Sequence, residues 1–243
     1  MSIEIIPFER LLITFVPALL VLFLMFHWHL PYRKACYAMA RMLVQLMLIG
    51  YALIMIFESD SSWTTLAVLS MMVLASSWIA LNTMSQDKSV GPGKLQIFPI
   101  SLIAILLGGG ATLLLVTQFV LALDPWYMPR YMVPLAGMIF ATSMTSISLA
   151  GERLQSELSQ GKTYEQARTV AYRTAMIPII NSMFAVGLVS LPGMMTGQIL
   201  SGVSPFIAAR YQIMVMCMLF SASGISSALF LLFVRKYFTS SVE

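Results

Sequence analysis

The sequence predicts an all-α polytopic membrane protein with about seven transmembrane helices, N-terminus outside and C-terminus cytoplasmic. Three observations predict it. Of its 243 residues, 59% are hydrophobic and only 10% are charged, with a mean hydropathy of +0.86. Soluble domains carry about 25% charged residues, so this chain lacks the polar surface to cover a water-soluble globule. The apolar residues also fall into runs of about 20, the length that crosses a hydrocarbon core of about 30 Å. Finally, the basic residues are shared unevenly between the connecting segments.

The runs cover 11–30 (with Pro17 inside), 37–57, 63–81, 97–121, 131–150, 177–200 and 211–234. With the N-terminus outside, the inner segments hold Arg33, Lys34, Arg41, Lys88, Lys94, Arg153, Lys162, Arg168, Arg173, Arg235 and Lys236. The outer ones hold Arg10, Arg130 and Arg210 together with Glu58, Asp60 and Asp124. Eleven cations against three satisfies the positive-inside rule. The start of the chain, with Glu4, Glu9 and Arg10, has no basic cluster, and no small-x-small site ends the first run. That run is therefore read as a membrane helix and not a cleaved leader. Scattered basic residues and a net charge of +4 give no nucleic-acid footprint. Cys36 and Cys217 have no metal or redox spacing and are expected as free thiols.

One connecting segment, 151–176, is long and polar: GERLQSELSQGKTYEQARTVAYRTAM. It reads as two short helices, 152–159 and a second started by the capping box Thr163-x-x-Gln166, separated at Gly161. The second has an apolar face of Tyr164, Ala167, Val170 or Ala171, and Met176, with Arg168 and Arg173 elsewhere. Such a helix lies on lipid or docks in a partner's groove. Gly161-Lys162-Thr163 resembles the end of a phosphate-binding loop, but Ser156 stands where its first Gly belongs and no strand precedes it. The chain is therefore expected to hold no nucleotide and to be no enzyme itself.

Polar residues within the runs are costly unless satisfied. Arg41 and Gln45 share a face of the second run, and Asn181 opens the sixth. Thr142, Ser143, Thr145, Ser146 and Ser148 crowd the fifth, each able to bond its own helix and together suggesting a polar lining. His27 and His29 flank Trp28, a headgroup-level position that is also a weak metal candidate. The 20 methionines serve as packing filler or as soft ligands. Most informative is SLPGMMTGQILSG at 190–202. Pro192 kinks or breaks the sixth helix, and Gly193 and Gly197 allow close helix approach. Met194, Met195, Thr196 and Gln198 decorate the break, and broken backbone at membrane depth is tolerated where it is buried or lines a cavity.

The stretch VGLVSLPGMMTGQILSGVSP (186–205), continuing with Ala209-Arg210-Tyr211-Gln212-Ile213-Met214-Val215, resembles the signature of the FetB-like ABC transporter permeases. That family includes proposed bacterial iron exporters and plant aluminium-tolerance proteins. Arg41, Gln45, Leu46, Gly50 and Tyr51 fit its second helix and VPLAGMI (133–139) its fifth. The resemblance spans about 38–234. It implies one permease domain (1–243) in the bacterial inner membrane, working as a homodimer with separate ATPase subunits that supply ATP and Mg. It further implies metal export, iron first. The implied substrate path is Arg41, Gln45, Thr142, Asn181 and Pro192 to Gln198. The implied ATPase-coupling residues are Gly161, Thr163, Tyr164, Glu165, Gln166, Ala167, Arg168 and Arg173, within the segment 151–176. Two departures bear on substrate. Ala141-Thr142 replaces a Gly-Asn pair, and Phe184-Ala185 with Asn181 replace a Lys-Thr and an Asp. A path lacking those charges, with Met194 and Met195 beside it, suits a softer metal or an organic solute. Two rivals stand: a secondary transporter, which needs an intramembrane carboxylate that the seven runs lack, and a non-transporting scaffold.

Overall fold

The computed structural model describes residues 6–59, 61–82, 84 and 93–239. Asp60 and Lys88, used above for orientation, and Glu4, used in reading the first run, lie outside them. Among the described residues the protein is all-helical, without a β-strand. Six of the helices among the described residues are long and apolar enough to cross a membrane: Glu9–His27, Tyr32–Glu58, Ser62–Ala80, Lys94–Val120, Pro129–Ser159 and Pro205–Phe238. The chain divides into two compact units, Met1–Ser59 and Asp60–Glu243.

The first unit contains α1 (Phe8–Ile13), α2 (Phe15–His27) and α3 (Tyr32–Glu58). α1 and α2 form one apolar run interrupted at Thr14. Pro17 explains the interruption: it has no N–H for the Ile13 carbonyl, and its ring crowds that group. Thr14 Oγ1 then donates to Leu11 O at 2.7 Å. An edge-on contact between Phe26 and Tyr32, centroids 5.2 Å apart, braces the α2–α3 turn. Neither α2 nor α3 has a buried residue within this structure.

The second unit holds α4 (Ser62–Ala80), α5 (Lys94–Ile105), α6 (Ala111–Leu114), α7 (Pro129–Ser159), α8 (Tyr164–Ala185), α9 (Gly193–Leu200) and α10 (Pro205–Thr239). Two π-helical segments, Leu106–Gly110 and Leu115–Val120, flank α6, so Lys94–Val120 is one apolar helix with widened turns. α7 and α10 form the centre, with Ala136, Ile139, Ile147, Ala222, Phe230 and Val234 fully buried. α8 packs on both, α4 on α7, and α5 on α10.

Lipid offers helices no hydrophobic drive to associate, so close packing and interhelical hydrogen bonds must hold them. Both are present. A Cβ on Gly108 would stand 2.7 Å from Ser226 N and 2.9 Å from Ser226 Cα, so the glycine lets two backbones touch. Ser143 Oγ donates to Ala222 O at 3.4 Å, Ser148 Oγ to Ala80 O at 2.7 Å, and Ser101 Oγ to Ser77 O at 3.3 Å. Thr142 and Thr145 bond back to Met138 O and Ala141 O. Ser143 and Ser148 of the suggested polar lining thus tie helices together, and the two threonines bond their own helix.

Two expectations need correction. The run 177–200 is not one continuous helix: α8 stops at Ala185 and α9 starts at Gly193. Nor does 151–176 form two separate short helices. α7 continues unbroken to Ser159, and the helix begun at Thr163 continues through Pro178 to Ala185. Hydropathy reports where lipid begins and not where a helix ends, so polar extensions of long helices read as loop.

Candidate functional site

The α7–α8 turn is the most tightly built polar feature. Gly161, at φ 82, supplies the left-handed residue that ends α7. Its N–H bonds Leu158 O at 3.0 Å while that of Lys162 bonds Glu157 O at 3.4 Å, a Schellman pattern that caps the last carbonyls. Thr163 then caps α8. Its hydroxyl accepts from Gln166 N at 3.5 Å, and Gln166 Oε1 accepts from Thr163 N at 3.3 Å. The expected capping box is therefore present. Gly161-Lys162-Thr163 lies between two helices, unlike a phosphate loop after a strand.

Three further ties fix this turn. Glu157 is fully buried and pairs with both Arg153 and Lys162. Tyr164, also buried, donates its hydroxyl to the carbonyl of Leu231 on α10. Arg235 of α10 sits 5.8 Å from the Tyr164 ring centroid and pairs with Glu165 at 2.8 Å. Burial pushes the Tyr164 phenol up to about 12, so it remains a donor throughout the physiological range. Sequence reasoning missed Glu157 and counted Arg235 only as a charge. The four-residue spacing of Arg153 and Glu157 was the available signal.

The predicted apolar face of α8 is correct: Tyr164, Ala167, Ala171 and Met176 are buried, and Val170 half-buried. It packs within the chain against α7 and α10, and so covers neither lipid nor a partner. What faces outward at the tip is Gly161, Lys162, Thr163, Glu165, Gln166 and Arg173, with Arg168 half-exposed.

The second feature is the break between α8 and α9. Val189 N and Ser190 N both bond Ala185 O, at 2.8 and 3.1 Å, and Gly187 turns the chain at φ 84. Leu188 and Val189 project almost fully, 90% and 85% exposed. Pro192 occupies the N-cap of α9 in extended conformation, with Gly193 the first helical residue. It starts a helix here and does not kink one. Met194 packs against the core, and Met195, Thr196 and Gln198 are half-buried. A Cβ on Gly193 or Gly197 would meet nothing within 4 Å, so among the described residues no helix packs on that G-x-x-x-G face. Asn181 is exposed on α8 and Thr142 half-exposed on α7.

Arg41, Gln45, His27 and His29 belong to the first unit and are exposed. His27 stacks on Phe23 with centroids 6.4 Å apart, which suits an interfacial ring. Among the described residues no group of three or more His, Cys, Asp or Glu could hold a metal. A cavity of about 380 Å³ between α6 with the second π-helical segment and α10 does gather sulfur: Met214, Cys217 and Met218 line it, with Thr112 and Ser221. Both cysteines are free thiols, as expected.

The signature of the Uncharacterised protein family (UPF0014) matches residues 8–238. The chain belongs to the UPF0014 family. It is 36% identical over 220 residues to the UPF0014 membrane protein slr1647 of Synechocystis, covering 83% of this chain and 82% of that protein. It is 34% identical over 221 residues to the probable iron export permease protein FetB of Escherichia coli, 84% and 81% of the two chains. With the Arabidopsis thaliana protein ALUMINUM SENSITIVE 3 it shares 33% identity over 207 residues, 79% and 72%. No solved structure matches the chain. Together with the six long apolar helices among the described residues, these relatives make it a multi-pass membrane protein of the UPF0014 family.

Proposed function

We propose that this UPF0014 protein is the permease subunit of an ABC transporter in the bacterial inner membrane, exporting metal, with iron the first candidate. It works as a homodimer with two separate ATPase subunits, which bind and hydrolyse ATP with Mg. The N-terminus is outside and the C-terminus inside. In that orientation α8, the break and α9 together make a seventh crossing. The apolar part of α8, 174–185, rises about 18 Å, and 186–200 covers the remaining depth.

The observation that carries this reading is the α7–α8 turn. It is a capped, ion-paired knob with a polar outer surface, and it is tied at two points to α10. A partner that pushes Glu165, Gln166 or Arg173 moves α8 and α10 together. The α8–α9 break is the compliant element between the far ends of those two helices, where alternating access needs one. The FetB relative's name supports the iron assignment. The test is ATP-dependent uptake of iron into inside-out vesicles carrying this chain and its ATPase. Uptake that requires both proteins and ATP supports the reading, and uptake driven by a proton gradient alone replaces it with secondary transport.

A second substrate reading has its own observation. Thioether and thiol sulfur from Met214, Cys217 and Met218 lines one cavity beside a π-helical segment, and sulfur ligands select soft cations such as copper(I). Vesicle uptake of copper(I) in preference to iron, lost in Met214→Leu/Met218→Leu, would favour it.

A further inference from the structure

Gln198 Oε1 of α9 and Gln212 Oε1 of α10 are buried and accept no hydrogen bond among the described residues. Gln212 as a whole is only 5% exposed. We propose that these two amide oxygens, beside the α8–α9 break, are ligands for a hard divalent cation such as iron(II). The inference rests on the permease reading and names the ligands and the class of its substrate.

The fold places both glutamines at the break. Gln212 lies one turn after the fully buried Ala208 and one turn before the buried Met216, so the three share a face of α10. Met216 packs with Met176 and Ile179 of α8, and Val186, the residue just past the end of α8, packs on the same cluster. The face that carries Gln212 is therefore the one turned toward the interrupted part of α8–α9. α9, which carries Gln198, packs on α10 as well. α8 ends at Ala185, so the negative end of its dipole lies at this break. In transporters with broken helices, such C-terminal ends hold cations.

A buried amide oxygen without a donor is less stable than an apolar group of the same shape. Gln212 bears that cost inside the apolar helix Pro205–Phe238, and Gln198 bears it on the neighbouring α9. Both oxygens would be satisfied by a ligand that brings positive charge or donors. A hydroxylated solute brings donors but no charge for the end of α8, and a cation answers both. Neutral oxygens can bind a cation and release it again, the balance a conducting site requires. The remaining positions on the metal keep water, as hard divalent ions do. Carbonyl oxygen suits hard cations, while copper(I) prefers thiolate and thioether sulfur. The glutamine pair therefore favours iron(II) where the Met214–Cys217–Met218 cavity favours copper(I).

The experiment titrates the full chain in mild detergent with manganese(II), a hard paramagnetic stand-in, and follows the relaxation of water protons, which bound manganese(II) enhances. Gln198→Leu and Gln212→Leu should each weaken binding by about tenfold or more, as loss of a metal-holding group does. Both should melt at or above the parent, because each removes an unsatisfied acceptor. Gln118→Leu, whose amide donates to Trp126 O at 3.2 Å, should leave binding intact. Iron(II) should displace manganese(II) from the parent, and copper(I) should not. The proposal is overturned if the two leucine variants bind manganese(II) as the parent does, if Gln118→Leu loses it equally, or if copper(I) displaces it as readily as iron(II). It is also overturned if both leucine variants melt well below the parent, since the amides would then serve the fold. Binding is read without an ATPase, so failure of the ABC assignment would leave this result standing, and vesicle transport that survives both leucine variants would refute the site and spare that assignment.

Discussion

Gly108→Ala should destabilise this protein, while Gly110→Ala two residues away should not. A Cβ at Gly108 would stand 2.5 Å from Ser226 Oγ, 2.7 Å from Ser226 N and 2.9 Å from Ser226 Cα. The hydroxyl can rotate away, but the backbone atoms belong to buried α10 and yield only if the two helices separate. Overpacking of this kind costs about 1–3 kcal/mol. Alanine also gains up to about 1 kcal/mol of helix propensity over glycine, so the useful quantity is a difference. Gly110 carries the same propensity gain with no heavy atom within 4 Å of its added Cβ. The gap between the two variants then isolates the clash. At about 2–4 °C per kcal/mol for a chain of this size, Gly108→Ala should melt about 3–10 °C below Gly110→Ala in the same detergent. Equal melting temperatures would show that the Lys94–Val120 helix does not rest against α10 as described.

Other residues make equally direct tests. Glu157→Gln loses its ion pairs with Arg153 and Lys162 at a buried position. It should lower stability by about 1–3 kcal/mol, read as a fall of several degrees in melting temperature. Glu165→Arg and Arg235→Glu should each impair ATPase-coupled transport, and the double swap should restore it. The stability of each should stay within about 1 kcal/mol of the parent, because the pair is exposed. Tyr164, raised to about 12 from an ordinary value of 10, keeps its proton in the fold longer than in the unfolded chain. Its contribution is complete below pH 10 and is lost as pH rises from 10 toward 12. Tyr164→Phe should flatten that part of an alkaline melting profile.

What was legible in the sequence is what short-range chemistry decides. Thr163 and Gln166 sit three apart and each side chain accepts the other's backbone N–H, so the start of α8 follows from four residues. Its buried face followed from helical spacing alone. The end of α8 was not legible, because Pro192 drew attention that belonged to Gly187. A proline suits the entry of a helix as well as it spoils the interior of one, and only the backbone at 186–192 decides between these. The same limit applies to Gly108, Gly109 and Gly110. In sequence they form a uniform run, while in the fold one meets backbone, one meets Ile139 and one meets open space. Glu157 escaped notice because its burial comes from packing of the α7–α8 turn, which no local pattern encodes. Arg235 escaped for a similar reason, since its partner Glu165 lies 70 residues away.

The central claim is that the α7–α8 turn is where an ATPase subunit engages this chain. Its most direct test is purification of the tagged protein from native membranes in mild detergent, alongside a variant with Glu165, Gln166 and Arg168 replaced by alanine. The account predicts a stoichiometric ATPase with the parent chain and its loss from the variant, both chains melting within a few degrees of each other. An ATPase retained by a folded variant would move the docking site elsewhere. If no ATPase accompanies the parent chain, and none restores transport when co-expressed, the ABC permease reading is contradicted.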